Sequence, residues 1–80
     1  MMVKVLANCD YRLIKRKGLW AVLKDGHLEL AQFETKDEAH IYLLNYLKKL
    51  GFNFDYRILI CGYEYYYYED KSGKRIRVHF

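Results

Sequence analysis

The sequence predicts an α+β fold: a single domain spanning residues 1–80, with one helix packed on a curved, mainly antiparallel sheet of five or six strands. Three observations predict it. Only one segment, residues 36 to 50, combines helical apolar periodicity with a start signal and a stop signal. Around it lie short β-rich segments broken at glycines. The composition, 52% hydrophobic, 18% aromatic and 30% charged with no proline, is that of a folded chain. A chain this short buries a modest share of its surface, so bulky side chains must close its core.

Taken in order, Met2 to Ala7 and Tyr11 to Lys15 read as strands, separated by Asn8-Cys9-Asp10 and followed by a turn at Lys17-Gly18. Leu19 to Lys24 and His27 to Phe33 flank Asp25-Gly26, a pair that adopts the positive φ angles of a two-residue hairpin turn cheaply. With Lys24 opposite His27, Leu19, Ala21, Leu23, Leu28 and Leu30 share the face expected under the helix. Trp20, Val22, Lys24, His27 and Glu29 share the other. The helix follows. Thr35 is an N-cap with Glu38 three residues on, a capping box. Ala39, Tyr42, Leu43, Tyr46, Leu47 and Leu50 form the apolar stripe, and Gly51 ends it with Phe52 folded back on Leu47.

Beyond the helix, Ile76, Val78 and Phe80 alternate with Arg75, Arg77 and His79 and are expected to face the core. A four-residue loop at Asp70 to Gly73 pairs Tyr67 with Ile76 and Tyr65 with Val78. It also sends Glu64 to solvent and leaves Tyr66, Tyr68, Arg75 and Arg77 on the outer face. Ile58 and Ile60 have the wrong parity to share a face with Tyr63, Tyr65 and Tyr67; a bulge at Gly62 would correct it, and a bulge or sharp bend is expected there.

The charge is +4, from 14 basic and 10 acidic residues, and residues 1 to 18 hold five of the cations against Asp10 alone. A second basic cluster comprises Lys71, Lys74, Arg75 and Arg77. Such clusters attract polyanions or acidic protein surfaces without choosing between them. No apolar run approaches the roughly 18 residues of a membrane span, and the start lacks the apolar region of a signal peptide, so a cytoplasmic location and no membrane partner are expected. Cys9 and Cys61 lack CxxC spacing and are expected as thiols without a metal or disulfide role. No P-loop, GxSxG, HExxH or zinc-ligand spacing occurs, His27, His40 and His79 are scattered, and neither catalysis nor a cofactor is expected.

Residues 11 to 47 resemble the AP2 DNA-binding domain and the related arm-binding domains of phage integrases. Tyr11-Arg12, the mid-strand Trp20 and the run Phe33-Glu34-Thr35-Lys36-Asp37-Glu38-Ala39 carry the likeness. It implies a three-stranded sheet laid on one helix, with the open sheet face in the major groove. Arg12, Lys15 or Arg16, Trp20 and Lys24 would be the contacting residues. Leu13 stands where a glycine usually follows Tyr-Arg, and the C-terminal hairpin has no counterpart.

The resulting expectation is a non-enzymatic nucleic-acid-binding domain, DNA favoured, that works through the outer face of its sheet. Arg12, Lys15, Arg16 and Lys24 would hold phosphates, and Trp20 would touch a base or sugar. Tyr66, Tyr68, Arg75 and Arg77 are a second patch, suited to stacked single-stranded bases. The alternative is a protein-binding inhibitory module of phage or mobile-element type, anti-CRISPR proteins among them, using exposed Tyr and Arg. An exposed final strand could also pair two copies into a homodimer.

Overall fold

A computed structural model describes residues 8–80, so the expected strand at Met2 to Ala7 lies outside the described residues. The described elements run β1 (Tyr11–Arg16), β2 (Leu19–Lys24), β3 (Leu28–Phe33), α1 (Lys36–Lys49), β4 (Asn53–Ile60), β5 (Tyr63–Glu69) and β6 (Arg75–His79). The strands form one six-stranded sheet in the order β3-β2-β1-β6-β5-β4. Only the central β1–β6 pair is parallel. One helix on a mainly antiparallel sheet is the expected α+β class.

The helix forms where its signals stand. The backbone N–H of Glu38 donates to Thr35 Oγ1 at 3.2 Å, and the Thr35 hydroxyl donates to the Glu38 carboxylate at 2.9 Å. Asp37 and Glu38 occupy the first turn and Lys48 and Lys49 the last, each matched to the helix dipole. At the far end Gly51 has φ 88°, its N–H reaches Lys48 O, and the Phe52 N–H reaches Leu47 O at 3.0 Å. This is the Schellman closure, with Phe52 buried in the core.

The helix buries Ala39, Leu43 and Leu47 against Tyr11, Leu13, Val22, Tyr68, Ile76 and Val78. It therefore covers the face of Trp20 and Val22, not the expected face of Leu19, Ala21 and Leu23. Alternation could not separate the two. Ala21, Val22 and Leu23 are all buried, so β2 is apolar on both sides at its centre. The hairpin register also differs from a two-residue loop. Lys24 pairs with Leu28, His27 joins the loop, and a bulge at Leu30 lies between the Val22–Ala31 and Leu23–Glu29 pairs. Leu28, expected in the core, is exposed as a result.

The C-terminal hairpins depart further. No bulge occurs at Gly62. Cys61 (φ 50°) and Gly62 (φ 82°) make a hairpin turn that pairs Ile60 with Tyr63, so the break expected at Gly62 is a full chain reversal. The next loop holds five residues, Asp70 to Lys74, because Asp70 Oδ1 accepts from the Ser72 N–H, the Ser72 hydroxyl and the Lys74 N–H at 3.0, 2.7 and 2.9 Å. One added loop residue turns every side chain over. Glu69 pairs with Arg75 and Tyr68 with Ile76, so Tyr66 and Tyr68 face the helix side. Tyr63, Tyr65 and Tyr67 share the helix-free side with Arg75, Arg77 and His79, and Tyr65 and Tyr67 are nevertheless buried.

Candidate nucleic-acid interface

Strand parity sorts the candidate residues. Arg12, Arg16, Arg75 and Arg77 lie on the helix-free face. Lys15, Trp20, Lys24, Tyr66 and Tyr68 lie on the helix face, so the sequence-based patches do not assemble as expected.

On the helix-free face most cations are engaged within the chain. The Arg77 guanidinium lies 5.4 and 5.3 Å from the Tyr65 and Tyr67 ring centroids, and its Nε donates to the Tyr67 hydroxyl at 2.7 Å. One terminal nitrogen donates to Asn8 O at 3.3 Å, while its backbone N–H donates to Asp10 Oδ2 at 2.9 Å. This residue is a structural clamp between strands. Arg75 bridges Asp55 at 3.0 Å and Glu69 at 3.5 Å and stands over the Tyr56 ring. The two carboxylates largely cancel its charge. Arg12 differs: its Nε is buried and has no hydrogen-bond partner among the described residues. Burial is the largest influence on the nearby Cys9 thiol and pushes its pKa up, against the pull of Arg77 and Arg12.

Trp20 packs against the helix-side core with Lys36 Nζ 5.3 Å from its ring, so its indole serves mainly as packing. Lys24 closes β2 beside Asp25 and lines a groove of about 540 Å³ with Asp10, Asp70 and Lys74, a site of mixed charge. Tyr68 is buried, and Tyr66 donates its hydroxyl to Glu64 at 2.8 Å while meeting Phe80 edge-on. Tyr66 is partly exposed, and its ring packs against Phe80 and Phe54.

The β1–β2 turn gathers three exposed cations. Lys17 (φ 51°) and Gly18 (φ 79°) make the tight β1–β2 turn, and Lys15, Arg16 and Lys17 are all exposed on its tip. The Arg16–Glu29 bridge, 2.9 Å, is solvent-exposed and exchangeable. Alternation places Lys15 on the helix side, Arg16 on the other and Lys17 at the apex. The tip is therefore a charged wedge rather than a charged face. Glu34, Asp37 and Glu38 gather where the helix begins. The sequence places Lys17 in the N-terminal basic cluster and in a turn but not among the expected contacts; its position in an unbroken Lys-Arg-Lys run before glycine was the available signal.

Among the described residues no cluster of His, Cys, Asp or Glu could hold a metal ion, and no helix is long and apolar enough to cross a membrane. The described residues thus form a small α+β fold with an exposed basic run at the β1–β2 turn. No family model, curated protein or solved structure matches the chain.

Proposed function

We propose that the protein is a non-enzymatic nucleic-acid-binding domain that engages duplex DNA with the tip of its β1–β2 hairpin. The observation that carries this is the exposed run Lys15-Arg16-Lys17 at the end of a two-stranded ribbon. The major groove admits such a ribbon, and cations on both sides and at the apex can reach the phosphates on either wall. This reading moves the contact from a sheet face to a tip, with Arg12 behind it on β1. The rival reading, an inhibitory protein-binding module with a Tyr/Arg surface, finds less support because Tyr65, Tyr67 and Tyr68 are buried and Arg77 is held. An exposed Cys61 thiol suits a reducing compartment such as the cytoplasm.

The test compares two double variants of equal charge loss by fluorescence anisotropy on a labelled duplex. Lys15→Ala with Arg16→Ala should weaken binding by about tenfold per cation at 0.1 M salt. Lys48→Ala with Lys49→Ala, at the far end of a helix of roughly 21 Å, should leave it nearly unchanged. Equal losses in both would mean that net charge, not the tip, does the binding.

A further inference from the structure

Among the described strands the sheet has two edges, and they differ. The β3 edge is six residues long and blunted by the bulge at Leu30 and by Glu29, which holds Gln32 and Arg16. The β4 edge is eight residues long, has an irregularity between Phe54 and Tyr56 near its start, and contains neither lysine nor proline. Its Phe54 and Leu59 are 55% and 73% exposed, and Tyr56 and Ile58 are exposed on the other face. The helix is centred over β1, β2 and β3, with Ile76, Val78 and Tyr68 of β6 and β5 also in its core, and Phe54 and Leu59 of β4 stay exposed beside it. The final strand, β6, is interior and cannot pair copies. Soluble proteins blunt or cover a long apolar edge.

We infer that β4 is the interface of a two-fold dimer, pairing antiparallel with β4 of a second copy with Ile58 on the axis. Paired residues must face the same side of the combined sheet, so the axis has to pass through a residue. After the irregularity between Phe54 and Tyr56, the regular stretch is Tyr56 to Ile60, centred on Ile58. About this centre Ile58 meets Ile58, Tyr56 meets Ile60, and Arg57 meets Leu59 of the other copy. The helix-free side then carries an unbroken apolar strip of Tyr56, Ile58 and Ile60 from each chain. Neighbouring axes fail: one at Arg57 sets two guanidinium groups opposite each other, and one at Leu59 sets Tyr56 against the Gly62 turn.

Charge favours a second copy as the occupant. Arg57 is held by Glu64 of its own chain at 3.1 Å and Asp55 by Arg75 at 3.0 Å, so the strand is locally neutral. Two copies meet there without like charges face to face. The basic hairpin tip lies on β1 and β2, beyond β5 and β6, and the interface is independent of what the tip binds.

The axis makes the test specific. Residues directly opposite in an antiparallel pair have Cα atoms about 4.5 to 5.5 Å apart, within disulfide reach. In a Cys61→Ser background, Ile58→Cys should therefore cross-link to itself under mild oxidation. Leu59→Cys should not, because the two copies of residue 59 lie offset by two residues, about 8 Å apart. Sedimentation of the wild type at tens of micromolar should give twice the chain mass of 9.7 kDa, and Leu59→Lys should return it to one. A wild type that stays at one chain mass would overturn the inference, as would cross-linking at residue 59 as readily as at 58.

Discussion

Tyr65 and Tyr68 stand on opposite faces of β5, and both are buried, at 1% and 7% exposure. Replacing either by alanine should cost about 3 to 5 kcal/mol in a urea melt, as for other large buried aromatics. Tyr66 is only partly buried and should cost less. A Tyr68→Ala variant as stable as wild type would restore the four-residue loop and the outward Tyr68 that the alternation of Ile76, Val78 and Phe80 implied. Tyr11 gives a second residue-scale test. Burial, then Tyr46, Asp25 and Asp10, push its pKa up to about 12 from an ordinary 10. A raised pKa means that folding favours the protonated phenol. That stabilisation is complete below pH 10 and is lost as pH rises from 10 through 12. Tyr11→Phe should flatten the decline in stability over this window, and an unchanged profile would assign the decline to other groups.

At the scale of elements, local signals were legible and distant ones were not. Thr35, Glu38 and Gly51 fixed the helix because each acts on backbone groups within a few residues, and Thr35→Ala should cost about 1 kcal/mol in thermal melts. Asp25-Gly26 and Lys17-Gly18 were legible as turns for the same reason. At Cys61-Gly62 a bulge or sharp bend was legible but not the full hairpin turn, although Cys61 has nearly the φ of Asp25, 50° against 55°, because cysteine is an uncommon partner for glycine there. Asparagine tolerates that conformation better, so Cys61→Asn should raise the melting temperature and leave the β4–β5 register intact. A fall in stability would mean that the cysteine side chain contributes something its exposure does not reveal. Face assignment failed where it depended on counts: one residue more in the Asp70 loop, a chain reversal in place of a bulge, and a β2 centre buried on both sides. Each inverts or hides the parity from which a face is read. The candidate site suffered the same way. Arg12, Arg16, Arg75 and Arg77 kept the outer face, while Lys15, Trp20, Lys24, Tyr66 and Tyr68 went to the other.

Across the whole molecule, the helix is centred over β1, β2 and β3 of the six-stranded sheet. Those strands carry the basic hairpin, and the far end of the sheet is the apolar β4 edge. This division matches the two proposed tasks, a charged tip for a polyanion and an apolar edge for a second copy. In a dimer the two tips would stand on opposite sides of the axis and could act on separate stretches of one duplex. The functional account rests on the tip, and the salt dependence of duplex binding tests it most directly. Three phosphates neutralised by Lys15, Arg16 and Lys17 should give a slope of log K against log salt near −2.7 per tip, and Arg16→Ala should flatten it by about one unit. A slope near zero, or no binding at low salt, would contradict the account.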